Sequence, residues 1–224
     1  MSFCFINTAP IDPNRFILSY YGDSYSPSTS FSLFPPAIKH LLIINLLFFL
    51  ALMTPGVRNL VFGLGALWPL DHPNFMPWQF VSYMFLHGGI GHIFFNLFAL
   101  WMFGQSIENL WGTRRFVIYY FVTGIGAALL HILVTGAQVP MVGASGAVYG
   151  ILLAFAMMFP NRPIFLIFLP IPIKAKYFVL IFGALELFNG VSSLQTGIAH
   201  FAHLGGMVVG YIFIRIWGIR GNYE

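Results

Sequence analysis

Six stretches of this chain are apolar over lengths close to what a helix needs to cross a lipid bilayer. They cover approximately 37–54, 81–103, 116–135, 145–160, 177–189 and 198–217. A transmembrane helix takes about 20 mainly apolar residues, because lipid offers the backbone no hydrogen-bond partner outside the helix. Only 7% of the 224 residues are charged and the mean hydropathy is +0.83, whereas soluble domains carry about 25% charged residues. The chain is therefore expected to be an integral membrane protein.

Two further apolar segments are interrupted by glycine or proline. The run "VFGLGALWPL" is only ten residues long, and "IFLIFLPIPI" contains prolines that interrupt a helix. We interpret both as interfacial or re-entrant segments. The predicted fold class is an all-α membrane protein, a polytopic bundle of six transmembrane helices.

The first 36 residues differ in composition from the rest and include the serine-rich run "SYSPSTSFS". No basic start followed by an apolar core is found there, so we expect no cleaved signal peptide. We predict an N-terminal tail over 1–36 and a six-helix membrane domain over 37–224. Cys4 is the only cysteine, which leaves no disulfide framework and no cysteine-based metal site.

The basic residues predict the orientation of the bundle. One side would carry eight of them, namely Lys39, Arg114, Arg115, Arg162, Lys174, Lys176, Arg215 and Arg220, and the other side only Arg58. By the positive-inside rule, both termini are cytoplasmic and Ser145 lies at the opposite face. The net charge of +4 is small and scattered, so it does not indicate a nucleic-acid partner.

Polar side chains within the apolar stretches are costly and therefore suggest function. They are His87, His92 and Asn96 in the second stretch, Ser145 at the start of the fourth, Glu186 in the fifth, and His200 and His203 at the start of the sixth. All but Glu186 belong to groups near the non-cytoplasmic ends of their helices. These groups can therefore meet in one pocket.

Small residues indicate which helices approach each other. Gly146 and Gly150 form a small-xxx-small pair on the fourth helix, and Gly206 and Gly210 form another on the sixth. Such pairs let helix backbones pack closely, and His203 shares a helical face with the second pair. A close crossing would place His203 against the serine that precedes Gly146.

A serine and a histidine in contact can perform nucleophilic catalysis, because the imidazole takes the proton that keeps the hydroxyl unreactive. His92 and Asn96 are spaced i, i+4 and share one helical face. Their donors can stabilise the oxyanion of an attacked carbonyl, together with the backbone N–H of Ser145 at a helix N-terminus.

Four motifs resemble those of rhomboid intramembrane serine proteases, in the family's chain order. They are "HGGIGHIFFN" (87–96), "ENLWGTRRF" (108–116), "GASG" (143–146) and "AHLGG" (202–206). The resemblance extends over roughly 39–219. It implies a serine endopeptidase that cleaves peptide bonds in or near transmembrane segments of other membrane proteins.

The resemblance also implies residue roles. Ser145, flanked by Gly143 and Gly146, would be the nucleophile, and His203 the general base of a dyad without an aspartate. His92 and Asn96 would line the oxyanion hole. Tyr149 would pack beneath the catalytic histidine, His87 would lie near the pocket mouth, and a mobile gate would span roughly 188–197.

No metal or cofactor is implied, and the partners would be transmembrane protein substrates within the lipid bilayer. The compact six-helix form suggests a bacterial plasma membrane. Glu186 has no part in the family's dyad, and we assign it no catalytic role.

Each assignment has an alternative. Ser145 can cap its helix, and His203 can be a structural histidine. His200 competes for the role of base, and Asn96 can join helices. A transporter would require inverted repeats, of which we find none. A non-catalytic rhomboid-like binding protein would lack the nucleophile or the base, and a zinc protease would need an H-E-x-x-H pattern.

Overall fold

The computed structural model describes residues 31–136, 139–166, 169–192, 199–219 and 221. Most of the predicted tail, and residues 193–197 of the predicted gate, lie outside the described residues. The helices are α1 (Pro36–Met53), α2 (Arg58–Gly65), α3 (Gln79–Ser82), α4 (Ile90–Trp111), α5 (Thr113–Thr135), α6 (Ser145–Met158), α7 (Ala175–Val191) and α8 (His200–Ile216). Strands β1 (Pro163–Leu166) and β2 (Leu169–Lys174) lie between α6 and α7.

Three of these helices are long and apolar enough to cross a membrane, judged by length and composition: α1, α4 and α5. Helices α6 and α8 are also apolar but shorter. Large hydrophobic side chains remain on the outer surface, and Leu133 and Ile216 are 84% and 72% exposed. An apolar surface of this kind suits a lipid environment, because it would be costly to leave in water.

The predicted second helix, 81–103, is wrong in its bounds. The chain forms α3 and a 3₁₀ turn over Tyr83–Phe85, leaves helical geometry near Leu86, and begins α4 only at Ile90. The break contains Gly88 and Gly89, and glycine loses more conformational entropy in a helix than other residues do. As a consequence, His87 lies in the non-helical segment before α4, and His92 lies in the first turn of α4.

The segment that we interpreted as re-entrant around "IFLIFLPIPI" instead forms an antiparallel hairpin. Pro163 pairs with Lys174, Ile164 with Ile173 and Leu166 with Leu169. Proline interrupts helices, since it lacks the N–H and clashes with the preceding turn, but it is tolerated in edge strands. The described residues are therefore mainly helical and not all-α. The other doubtful segment contributes to the short helix α2.

One end of the bundle is fixed by Glu108, near the end of α4. Its two carboxylate oxygens accept hydrogen bonds from the backbone N–H groups of Ala37 and Ile38, at 2.8 and 2.9 Å, and the hydroxyl of Thr113 also donates to it, at 2.7 Å. Helix N-termini leave such N–H groups without intrahelical partners and favour negative charge there. The motif "ENLWGTRRF" therefore joins the start of α1, the end of α4 and the start of α5.

Helices α6 and α8 cross closely, as the glycine pattern predicts. A Cβ atom on Gly206 would collide with the backbone carbonyl of Gly146, so only glycine fits this crossing. The second glycine of each small-xxx-small pair packs against a different helix, α5. A Cβ on Gly150 would contact Thr123, and one on Gly210 would meet Tyr119. Gly150 and Gly210 thus allow α6 and α8 to pack closely against α5.

Candidate active site

Ser145 is the first residue of α6, at the end of an extended segment that is held on both sides. Met141 exchanges two backbone hydrogen bonds with Leu67, and the N–H of Gly143 donates to the carbonyl of Tyr83 at 2.9 Å. Ala144 occupies the N-cap position and no side chain caps the helix. The N-cap alternative for Ser145 is therefore wrong. Its hydroxyl is available for another partner.

That partner is His203, in the first turn of α8. The Oγ atom of Ser145 lies 2.8 Å from Nε2 of His203, across 58 positions of sequence. The competing histidine, His200, points instead to Glu186, with Nδ1 2.6 Å from Oε2. The structure therefore pairs the serine with the histidine that shares a face with Gly206 and Gly210.

The other ring nitrogen of His203 faces a carboxylate. Its Nδ1 lies 3.0 Å from Oε1 of Glu186, and both side chains are largely buried. The two atoms are at ion-pair distance without the angle of a hydrogen bond, and among the described residues Nδ1 has no hydrogen-bond partner. An ionised carboxylate this close favours the tautomer of the neutral imidazole that carries its proton on Nδ1. In that tautomer Nε2 is an acceptor, and the hydroxyl of Ser145 donates to it.

Glu186 is held by two further side chains. The hydroxyl of Tyr149 donates to Oε1 at 2.5 Å, and Nδ1 of His200 donates to Oε2. The ring of Tyr149 also stacks on the imidazole of His203, with centroids 4.3 Å apart and planes 5° from parallel. Tyr149 thus contacts the histidine through its ring and the carboxylate through its hydroxyl.

A cavity of about 990 Å³ opens beside Ser145 and His203. His92 and Asn96 line it from α4, and His131 lines it from α5. The amide of Asn96 donates one N–H to the carbonyl of His92 at 2.9 Å, which leaves its second N–H able to donate. Ser145 opens its helix, so its backbone N–H has no intrahelical acceptor. These donors belong to residues that line the same cavity as the serine hydroxyl.

Gly143 separates His92 from Ser145. Its φ of +127° is rarely adopted by other residues, and a Cβ there would lie 2.7 Å from Nε2 of His92 and 3.7 Å from Oγ of Ser145. Any side chain at this position would displace the ring of His92 and fill the space before the nucleophile. This explains the first glycine of the "GASG" motif. The second, Gly146, is explained by α5, because a Cβ at that position would collide with Cβ of Ala127.

His87 is placed differently from the other predicted site residues. It is 2% exposed and is not among the residues that line the cavity, although its neighbour Gly88 is, so its place near the pocket mouth stays a prediction. Its ring packs edge-on against His92, with centroids 5.0 Å apart. His87 therefore packs against the ring of His92 and helps to hold it in position.

Glu186, His200 and His203 are close enough together, within 4.8 Å, to suggest a metal site among the described residues. Ligands on one tetrahedral zinc ion, with bonds near 2.0–2.1 Å, lie about 3.3 Å apart. Here the nitrogen–oxygen distances are 2.6 and 3.0 Å, and Nε2 of His203 faces Ser145. Hydrogen bonds account for this cluster better than a metal ion does.

Glu186 contacts the serine–histidine pair although the sequence analysis assigned it no role. The available signal was chemical: an acid in an apolar helix is costly unless it is paired, and the nearby sixth stretch offered two histidines. The face of α7 that meets them could not be read from the sequence, because that helix is apolar around most of its circumference.

The arrangement can activate a serine for attack on a carbonyl. It combines a hydroxyl, an acceptor imidazole and a carboxylate on the far side of that imidazole, with hydrogen-bond donors beside the hydroxyl. These are the parts of an acyl-transfer site, in which the base removes the proton of the nucleophile and the donors stabilise the oxyanion.

Comparison with known proteins found a matching family profile and several similar proteins. A family profile described as "Rhomboid domain" matches residues 74–220. The chain is 30% identical over 143 residues to the rhomboid protease GluP of Bacillus subtilis (strain 168), a match that covers 63% of this chain and 26% of that protein. It is 34% identical over 150 residues to the chloroplastic Rhomboid-like protein 11 of Arabidopsis thaliana, covering 63% and 53%.

A third relative is the mitochondrial Rhomboid protein 1 of Saccharomyces cerevisiae, 31% identical over 139 residues, covering 58% of this chain and 38% of that protein. The chain thus spans between about a quarter and about half of the length of these curated relatives. The profile match extends from before α3 to the end of α8 and includes each residue of the site. This chain is an integral membrane protein and belongs to the rhomboid family.

Proposed function

We propose that this chain is an intramembrane serine endopeptidase that hydrolyses peptide bonds in or near transmembrane segments of other proteins. The observation that carries the proposal is the 2.8 Å contact between Oγ of Ser145 and Nε2 of His203 at the wall of the cavity. The contact is not needed to hold the two helices together, since α6 and α8 already pack closely where Gly206 meets the backbone of Gly146.

In the proposed reaction, Oγ of Ser145 attacks the carbonyl carbon of the substrate while Nε2 of His203 accepts the hydroxyl proton. The tetrahedral intermediate carries its negative charge on the former carbonyl oxygen. His92, the amide of Asn96 and the backbone N–H of Ser145 are the candidate donors to that oxygen. His203 then returns the proton to the leaving amine, and a water molecule hydrolyses the acyl-enzyme by the same steps.

The length of α6 supports a site below the membrane surface. Its 14 residues span about 21 Å at 1.5 Å per residue, less than the roughly 30 Å of a hydrocarbon core. If its C-terminal end reaches the cytoplasmic face, Ser145 lies beneath the opposite face. A substrate helix must then approach from the side and partly unwind, because helical hydrogen bonds occupy its carbonyl groups.

We further propose six membrane crossings, by α1 and α4–α8, with both termini cytoplasmic. The contacts of Glu108 with the start of α1 and the contact of Trp111 with Trp217 bring basic helix ends to one end of the bundle. Positive charge marks the cytoplasmic side. We retain the bacterial plasma membrane as the proposed location, although the relatives include chloroplastic and mitochondrial proteins.

A cleavage assay in proteoliposomes tests the proposal. Purified wild-type protein and the Ser145→Ala variant are reconstituted with a panel of labelled single-pass peptides, some with small residues and a helix-weakening glycine or proline near one end. We expect the wild type to cut at least one peptide and the variant to cut none. Equal cleavage by both proteins, or none by the wild type across the panel, would contradict the proposal.

A further inference from the structure

The contacts of Glu186 connect a third helix to the serine–histidine pair. Within the described residues, both oxygens of its carboxylate are used: Oε1 faces Nδ1 of His203 at 3.0 Å and accepts from Tyr149, and Oε2 accepts from His200. None of these partners is needed to join α7 to the bundle, since α7 also packs apolar side chains such as Phe178 and Val179 into the core. The carboxylate is therefore aimed at the histidine that contacts the serine.

We infer that Glu186 is a positioning residue that completes a Ser145–His203–Glu186 triad. This inference rests on the proposed function, and it goes beyond the two-residue site that the family resemblance implies. The negative charge 3.0 Å from Nδ1 favours the tautomer of His203 with its proton on Nδ1, so that Nε2 is free to accept the proton of Ser145. It also stabilises the imidazolium that forms during attack, because opposite charges attract strongly at a largely buried site.

The two other partners of Glu186 fix the carboxylate. Tyr149 donates to Oε1 while its ring stacks on His203, so one side chain sets the imidazole plane and the oxygen that faces it. His200 occupies Oε2, which prevents the carboxylate from rotating away. His200, the alternative base in the sequence analysis, thus orients the carboxylate and does not act as the base.

Glu186→Gln is the variant that tests the tautomer. An amide is nearly the same shape as the carboxylate, yet it can donate its N–H to Nδ1 of His203, which leaves the imidazole proton on Nε2, where it blocks transfer from Ser145. In a serine protease of another fold, the corresponding acid-to-amide change lowers kcat by about 10⁴-fold. We expect a loss of about 10²- to 10⁴-fold in kcat, with KM changed little, since Glu186 does not line the cavity.

Glu186→Asp distinguishes positioning from a merely structural role. Aspartate keeps the charge and loses one methylene, whereas glutamine keeps the shape and loses the charge. The triad requires the kcat order wild type, then Asp, then Gln. A role limited to packing and hydrogen bonding would give the reverse order for the two variants, because glutamine fits the site better.

Glu108→Gln is the matched control, since Glu108 is also a buried glutamate that accepts three hydrogen bonds but lies at the other end of the bundle. Below its unfolding temperature we expect its kcat to equal that of the wild type. Activity is measured per folded protein, with folding followed by size-exclusion chromatography and thermal unfolding.

A spectroscopic measurement tests the same inference without altering Glu186. In the ¹⁵N NMR spectrum of histidine-labelled wild-type protein, with His203 assigned by comparison with His203→Ala, we expect Nδ1 to be protonated and Nε2 unprotonated at neutral pH. Protonation on Nε2 would overturn the triad, and so would a wild-type kcat in folded Glu186→Gln. If the wild type itself neither cleaves peptides nor reacts with serine-directed probes, the proposed function fails together with the triad. Wild-type cleavage with an unaffected Glu186→Gln variant would remove only the triad.

Discussion

The hydroxyl of Ser145 and the imidazole of His203 lie 2.8 Å apart beside a helix crossing at which Gly206, one turn after His203 on α8, lies against the backbone carbonyl of Gly146 on α6. The close approach of the two helices therefore depends on the missing side chain of Gly206. A change at this crossing should affect the chemistry without altering either reacting group.

We predict that Gly206→Ala lowers both stability and turnover. The added Cβ collides with the carbonyl of Gly146, and overpacking of this kind costs about 1–3 kcal/mol. Displacing a catalytic group by about 1 Å can cost about 10²-fold in rate. Thermal unfolding in detergent and the peptide-cleavage assay measure the two effects.

Gly63→Ala is the control for that experiment. Gly63 lies in α2, where an added Cβ meets nothing within 4 Å, and alanine favours helices over glycine by about 1 kcal/mol. We expect unchanged turnover and equal or higher stability. Wild-type turnover and stability in Gly206→Ala would show that the close crossing does not set the geometry.

We predict that Asn96→Ala slows turnover by about 10²-fold or less. One oxyanion donor of a serine protease contributes about 10²- to 10³-fold in kcat. In this variant His92 and the N–H of Ser145 remain as donors to the oxyanion. The comparison of kcat with KM checks the assignment, because an oxyanion donor should affect kcat more. An unchanged rate would remove Asn96 from the site.

Tyr149 allows its two contacts to be separated. Tyr149→Phe keeps the ring that stacks on His203 and removes the hydrogen bond to Glu186, so we expect a loss of about 10- to 10²-fold at most, which corresponds to about 1.5–3 kcal/mol for one hydrogen bond to a charged group. Tyr149→Leu removes the aromatic face as well and should be slower than Tyr149→Phe. Equal rates for these two variants would show that the stack does not position the imidazole.

We predict that Glu108→Ala destabilises the fold by about 2–4 kcal/mol, because it removes charge-assisted hydrogen bonds and leaves the N–H groups of Ala37 and Ile38 without their partner. The neighbouring variant Asn109→Ala, which loses contacts to exposed Ser32, should cost less. Thermal unfolding of both variants in the same detergent measures the difference. Equal stabilities would contradict the role of Glu108 in fixing α1.

The pairing of Ser145 with His203 could be predicted from the sequence, because glycine spacing and shared helical faces restrict which helices approach each other. The break before α4 was missed because the apolar runs on both sides of His87–Gly89 were taken as one helix, although the two glycines indicate an interruption. The hairpin of β1 and β2 was missed for a similar reason: a short apolar run has no periodicity that separates strand from interfacial segment.

The role of Glu186 could not be predicted from the pattern because it depends on the rotation of α7 about its axis. Glu186 meets Tyr149 from 37 positions earlier and His200 from 14 positions later. Apolar residues surround it on all sides of the helix, so the sequence indicates that a partner is needed but not which one. Only the packed structure identifies the partners.

The central claim is that Ser145 is a nucleophile activated by His203, and covalent labelling tests it most directly. Purified wild-type protein in detergent is incubated with a fluorophosphonate probe, and the modified residue is identified by peptide mapping with mass spectrometry, with Ser106→Ala as a control that should label normally. We predict modification at Ser145 in the wild type and none in His203→Ala. Modification at another residue, or equal labelling of Ser145 without His203, would contradict the account.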